Sequence, residues 1–344
     1  MRASSLHGVK RRTLKVASCL AISACISAPA LAQTGDATTD QPRADSEIVV
    51  TATRREQSVQ EIPFSVTALS GDTLQDLGAA TLRDFAEKVA GLEYASFAPG
   101  LNRVTIRGIS TQTGESSVGF YIDEMPITAD PTAQPDVGIY DINRVEVLRG
   151  PQGTLFGESS LGGTIRIITN RPDATAFGGT AEATASSTKH GGWNYSTNLM
   201  VNIPLIKDTL ALRLVGGAHE NDGFIDSPLL GKEDVNDEKG YDYRATLGWT
   251  PTDNLTVLAS YMGSNIETGS EFISNEDYVQ YRYTPEGRDD DYQRGNLTIE
   301  YSTGFADFVS STSYFDRSTD RTVDQTGAVY GLLPPGFTVE QINN

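Results

Sequence analysis

Past residue 170 the chain is written in alternation: apolar and polar side chains change places with a period of two, in segments about ten residues long. That is the period of a β-strand with two unlike faces, and the length suits a strand that crosses a membrane. Leu210, Leu212 and Leu214 stand against Ala211, Arg213 and Val215, and Tyr241, Tyr243, Ala245, Leu247 and Trp249 against Asp242, Arg244, Thr246 and Gly248. Leu255, Val257, Ala259 and Tyr261 alternate with Thr256, Leu258, Ser260 and Met262, and Leu297, Ile299 and Tyr301 with Asn296, Thr298 and Glu300. Less regular strands are expected at 179–187, 193–203 and 306–315. The connections alternate too, with tight turns at 204–208, 251–254 and 303–304 and long polar segments at 222–239, 265–291 and from 317 onward. Short turns on one side, long loops on the other, and Tyr or Trp at the ends of the apolar face point to an antiparallel transmembrane β-barrel.

The N-terminus has a different grammar. Arg2, Lys10, Arg11, Arg12 and Lys15 occur with no acidic residue, an apolar run follows from Val16 to Ile26, and then comes Ala30-Leu31-Ala32. A basic head, a short apolar centre and an A-x-A site predict a secretory signal over 1–32 with cleavage before Gln33. Ile22-Ser23-Ala24 ahead of Cys25 offers a lipoprotein site as the less well placed alternative. Cys19 and Cys25 both fall in the signal, so no disulfide framework is expected in the mature chain. Removing the signal's five basic residues from the chain's 27 leaves 22 Lys and Arg against 45 Asp and Glu, a net charge of −23, which argues against nucleic acid as a partner.

Residues 33–46 are Thr- and Asp-rich with few apolar side chains beyond alanine, and read as a linker. From 47 to about 170 the pattern is mixed. Strands are expected at 64–69, 104–106, 118–122 and 144–148, and a helix at 81–89 with Leu82, Phe85 and Val89 on one face and Thr81 as its cap. This is a small α+β globule with many glycine turns.

Glu47-Ile48-Val49-Val50-Thr51-Ala52 is a β-branched run between linker and globule. It suits either a first strand of the globule or an extended segment that adds itself to the sheet edge of another protein. In the second half of the globule come Arg144-Val145-Glu146-Val147-Leu148-Arg149-Gly150-Pro151-Gln152-Gly153-Thr154-Leu155-Phe156-Gly157 and Gly162-Gly163-Thr164-Ile165-Arg166-Ile167-Ile168-Thr169. Together with Ile106-Arg107-Gly108 and Phe120-Tyr121-Ile122-Asp123, these runs resemble the plug-domain signature of the TonB-dependent outer-membrane receptors. The resemblance is dense from 47 to about 172 and rests on pattern alone beyond.

What it implies is an α+β plug domain followed by an incomplete antiparallel transmembrane β-barrel, laid out as signal 1–32, linker 33–46, TonB box 47–52, plug 53–172 and barrel from 173 to 344. Glu47, Ile48, Val49, Val50, Thr51 and Ala52 would engage TonB. Gly150, Gly153, Gly157, Gly162 and Gly163 would provide tight turns and close backbone approach inside a barrel. Arg107, Glu146 and Arg149 are expected to find ion-pair partners where the plug meets the barrel wall, because a buried charge needs one. About seven strands are counted against the roughly 22 of a plugged transporter barrel, and the terminal residues lack the family's closing aromatic, so the chain is read as a fragment of a longer product.

No cofactor is expected. G-x-x-x-x-G-K-[ST], H-E-x-x-H and G-x-S-x-G are absent, and the mature chain keeps only His190 and His219, so neither nucleotide binding nor an enzyme is predicted. Asp289-Asp290-Asp291 and the group Asp234, Asn236, Asp237 and Glu238 are weighed as Ca²⁺ ligands, with a solvated loop preferred and no metal site assigned. The function the resemblance implies is active uptake of a scarce small-molecule ligand across the outer membrane, ferric siderophores being the commonest in the family. A non-transporting exported β-protein, an adhesin or surface binding module, is the alternative.

Overall fold

The computed structural model describes residues 49–51, 57, 58, 60, 62–157 and 159–326. The signal, the linker, Glu47, Ile48 and Ala52 therefore lie outside the described residues. Two short strands, β1 (Val49–Val50) and β2 (Gln57–Ser58), pair antiparallel with Val49 opposite Ser58. There follow β3 (Val66–Ser70), α1 (Gly71–Asp76), α2 (Leu82–Ala86), β4 (Leu92–Ala98), β5 (Leu101–Ile106), β6 (Val118–Ile122), β7 (Met125–Pro126), β8 (Ile142–Arg149), α3 (Gly153–Phe156) and β9 (Gly163–Thr169). Five of these strands make a sheet in the order β3-β8-β9-β6-β7, while β4 and β5 form a separate hairpin.

The five-stranded sheet has two buried faces, so its strands carry apolar side chains on both sides. Val145, Val147, Ile165, Ile167, Phe120 and Ile122 point into the main core with Leu82, Phe85 and Val89. Leu148 and Tyr121 point the other way, toward Val50, Ile62 and Phe156. The expected helix forms over α2 only. The Asp84 carboxylate accepts from the backbone N–H of Thr81 at 2.7 Å and of Ala80 at 2.9 Å, fixing the start of α2. Val89 is buried beyond its end.

Seven long strands follow: β10 (Gly178–Ser187), β11 (Trp193–Ile206), β12 (Leu210–Asn221), β13 (Glu238–Thr252), β14 (Leu255–Thr268), β15 (Gly287–Thr303) and β16 (Ala306–Thr322). They pair in chain order, each antiparallel to the next, in one open sheet. The long polar segments are shorter than expected: β14 runs on to Thr268, β15 begins at Gly287, and β16 continues past Arg317 to Thr322. A membrane strand needs only about 9–11 residues, and these strands carry polar side chains on past that length because backbone pairing does not require an apolar partner there.

The alternation sorts onto the two faces of this sheet. Leu214, Leu247, Trp249, Tyr261, Leu297, Ile299 and Tyr301 are exposed, whereas Arg244, Thr246, Met262, Arg294, Asn296 and Thr298 on the opposite face are buried against the globule. Met262 and Tyr292 belong to the globule's own core cluster. Among the described residues no helix is long and apolar enough to cross a membrane. The outward face carries aromatics toward both ends: Tyr241 and Trp249 on β13 are eight positions apart, roughly 27 Å of strand and about 20 Å of height at the usual barrel tilt.

Leu247 lies between those two aromatics on the exposed face. If that face meets lipid, Leu247→Arg is expected to lower the stability of the protein in a bilayer by about 2–4 kcal/mol, read as a fall in the denaturant midpoint with unchanged slope; an unchanged midpoint would place Leu247 away from lipid.

Candidate functional site

The side of the globule's sheet that faces away from the main core carries a charge cluster. Glu146 on β8 stands directly opposite Arg166 on β9, and Nη1 of Arg166 donates to Glu146 Oε2 at 2.8 Å, with both side chains fully buried. Arg144 Nε donates to Glu146 Oε1 at 2.8 Å, and Arg166 Nη2 donates to Glu124 Oε1 at 3.0 Å. The Arg166 guanidinium also lies 5.3 Å over the ring of Phe156. Burying such a pair costs solvation, which good geometry and further hydrogen bonds must offset.

Those further bonds come from Thr51. Its backbone N–H donates to Glu146 Oε1 at 2.8 Å, its carbonyl accepts from Arg166 Nη1 at 2.7 Å, and its hydroxyl oxygen accepts from Arg166 Nη1 at 3.0 Å and Arg144 Nη2 at 3.1 Å. Val50, fully buried, packs beside it with Ile62, Tyr121, Leu148 and Phe156. Of the expected box, Val50 and Thr51 are thus seated on the globule, and Val49 pairs with Ser58.

The expectation for Arg107, Glu146 and Arg149 is corrected. Glu146 is held inside the globule, because β8 is an interior strand whose neighbours are β3 and β9. Arg149 donates to the Ala90 carbonyl and to Thr67 Oγ1, both at 3.0 Å, again within the globule. Arg107 is exposed in a turn at φ 53, with no ion pair found for it among the described residues. Of the five glycines, Gly150 and Gly157 take left-handed backbone at φ 101 and 70, and a Cβ at Gly163 would collide with the Leu148 carbonyl. Gly162 lies close to Ile109, whereas Gly153 opens α3 with open space around it, so it is needed neither for a positive φ nor for close approach.

Contact with the long-stranded sheet falls to other residues. Asp141, at φ 56, accepts from Arg213 of β12 and, at 2.8 Å, from Arg244 of β13. Asp123, at φ 53, accepts from Arg294 of β15 at 3.2 Å. Arg288 of β15 and Arg317 of β16 both donate to the Gly100 carbonyl at the tip of the β4–β5 hairpin, at 3.0 and 3.2 Å, while both also pair with Asp290. Asp290 is therefore a strand residue tied to two guanidiniums, not a loop ligand for calcium. Gly100 (φ 69) is close enough to Asp290 that a Cβ would collide. The sequence held a signal for Arg213 and Arg244 in their places on the polar face of the alternation, but none for the turn carboxylates that meet them, and Arg288 and Arg317 fall in the expected long polar segments rather than on expected strands.

At the same tip, Asp136 accepts from the Gly100 N–H at 2.7 Å and from the Tyr94 hydroxyl at 3.0 Å. Burial pushes its carboxyl above the ordinary range, although the Gly100 N–H opposes this. A cleft of about 1160 Å³ separates the globule from strands β10 to β14; Arg83, Asp84, Asp136, His219, Glu238 and Asp242 are among its lining.

Burial alone would push the Asp141 carboxyl up, but hydrogen bonds from Arg213 and Asn170 and the charge of Arg244 hold it below its ordinary value. Asp141→Asn is expected to cost about 3–5 kcal/mol, because two inward guanidiniums lose their counter-charge. A lowered carboxyl contributes stability that is fully present above its ordinary value of 3.8 and is lost as pH falls through the lower folded-state value. The gap between parent and variant in denaturant unfolding should therefore be constant from pH 8 to 5 and close in stronger acid; a gap that widens on acidification would refute the pairing.

Residues 58–164 match the family described as TonB-dependent Receptor Plug Domain. The Pesticin receptor of Yersinia pestis is 33% identical over 138 residues, which is 39% of this chain and 20% of that protein. The Ferripyoverdine receptor of Pseudomonas aeruginosa is 30% identical over 202 residues, 56% of this chain and 23% of that protein. The chain thus spans under a quarter of the length of these two curated relatives. Among solved structures, the ferric yersiniabactin uptake receptor FyuA from Yersinia pestis superposes with a TM-score of 0.68 at 21% identity, over 76% of this chain and 42% of that one, a likeness of fold.

Proposed function

This chain belongs to the family of TonB-dependent outer-membrane receptors, and on that premise we propose that it serves active uptake of a scarce ligand, most simply a ferric siderophore. The plug, 53–172, closes the lumen of a barrel whose strands begin after 173, and residues 47–52 are the box on which TonB pulls. The observation that carries this reading is the seating of Val50 and Thr51: β1 pairs with the two-residue β2, and the Thr51 backbone that follows it is held by side chains of Glu146 and Arg166. A segment so held can leave by breaking a two-residue pairing rather than a long ladder, and offer its backbone groups to another protein's sheet edge.

The siderophore assignment draws on the relatives, one named for ferripyoverdine and one solved as a ferric yersiniabactin receptor. Uptake follows if TonB engages the box through backbone hydrogen bonds. Val49→Pro removes an N–H donor from that segment and is expected to reduce energised uptake of radiolabelled ferric siderophore by the full-length receptor to background, while leaving binding to the cell surface unchanged. Wild-type uptake by this variant would remove the box assignment; uptake of labelled cobalamin in place of iron would replace the ligand class and leave the box intact.

A further inference from the structure

The turn between β6 and β7 touches the barrel wall and the box-holding arginine with adjacent residues. Asp123 accepts from Arg294 of β15, and its Oδ1 also accepts from the Thr169 N–H at 2.9 Å and hydroxyl at 3.0 Å on β9. Glu124, the next residue, accepts from Arg166 Nη2 at 3.0 Å. The other amino group of Arg166, Nη1, is the one that donates to the Thr51 carbonyl and to Glu146. A line of charge-assisted hydrogen bonds therefore runs from wall to box as Arg294, Asp123-Glu124, Arg166, Thr51, with the β9 backbone bracing both ends through Thr169 and Arg166.

The wall end of this line depends on one ion pair. Arg294 is almost wholly buried, and apart from Asp123 its guanidinium has the Met262 sulfur, 3.4 Å from Nη1, as its hydrogen-bond partner among the described residues. A thioether is a weak acceptor, so Arg294 keeps Asp123 or is left a buried cation without a counter-charge, which is strongly unfavourable. If β15 shifts, the turn must follow it. The same strand carries Arg288 and Asp290 at the plug's hairpin tip, so a disturbance there acts on the element that holds the turn.

We propose that the Asp123-Glu124 turn is the transmitting element of this receptor: displacement of β15 draws the turn with it, withdraws Glu124 from Arg166, and loosens the grip of Arg166 on Thr51. This rests on residues 47–52 being the box. A coupling claim needs a coupling measurement, and Val50 offers one, since it is fully buried when the box is seated.

The test is the rate at which Val50→Cys reacts with a soluble maleimide in the full-length receptor, purified without TonB and with no other cysteine. Glu124→Gln and Arg294→Gln are each expected to raise the rate about tenfold, and the double variant no further than the larger single effect, as expected for one line of contacts. Arg294→Lys, which keeps the charge, should restore most of the slow rate, and Lys239→Gln, from an exposed pair on the sheet, should leave it unchanged. If Arg294→Gln fails to assemble, judged by heat-modifiable mobility in a gel, Asp123→Asn breaks the same pair and is read instead. A parental rate in the Arg294 and Asp123 variants, with acceleration in Arg166→Gln, would overturn transmission through the turn; a parental rate in Arg166→Gln as well would overturn the grip itself. Failure of TonB's C-terminal domain to capture the receptor would instead count against the box reading and leave the labelling result standing.

Discussion

A guanidinium that faces the inside of a membrane barrel has no lipid to avoid and little water to meet, so it must be answered by oxygen from whatever fills the interior. Arg213, Arg244, Arg294, Arg288 and Arg317 all stand on the inward face of the sheet, and each is met by a carboxylate or a carbonyl. The carboxylates of Asp141 and Asp123 and the carbonyls of Gly100 and Ala133 come from the plug. Remove the plug and the wall would hold uncompensated charge; remove the wall and exposed turns would carry carboxylates at left-handed backbone with nothing to fix them. The two layers are bound by this mutual need and by apolar contact, to which Met262 and Tyr292 of the sheet contribute.

The same rule, applied one layer deeper, seats Val50 and Thr51. Glu146 and Arg166 face each other across β8 and β9 with no solvent access; Arg144 and Glu124 each take one further bond, and Thr51 is the residue that bonds to both members of the pair. Polar groups held this way are costly to leave unmatched, which gives the seated state its definition. The bonds to Thr51 are few, so this segment is fastened at one point rather than laid down as a strand of the core.

Which side chains face which way was legible in the sequence. Period-two alternation placed Arg213, Arg244, Thr246, Met262, Asn296 and Thr298 together on the polar faces, and these positions look inward. Glycines at Gly150 and Gly157 announced turns that the backbone makes with positive φ. The partners were not legible. Asp141 meets residues 72 and 103 positions away and Asp123 one 171 positions away, from turns whose position depends on the whole globule. Polarity also misled at Asp289-Asp290-Asp291, where a run suited to a loop is strand, because Asp290 is answered by Arg288 and Arg317 rather than by water. Glu146 was expected to pair at the barrel wall, but its partner lies on the adjacent strand of its own sheet.

In this fold Thr51 is held to the globule by buried charge. Amide hydrogen exchange of the segment containing Val50 and Thr51, in the purified full-length protein without ligand or TonB, measures this directly. The Thr51 N–H donates to Glu146 at 2.8 Å, so exchange orders of magnitude slower than that of an unstructured chain is predicted, with a return toward the free rate in Glu146→Gln. Exchange at the unstructured rate in the unmodified protein would contradict it: Val50 and Thr51 would then be free of the globule, and neither the proposed seating of the box nor its proposed control from the wall would stand.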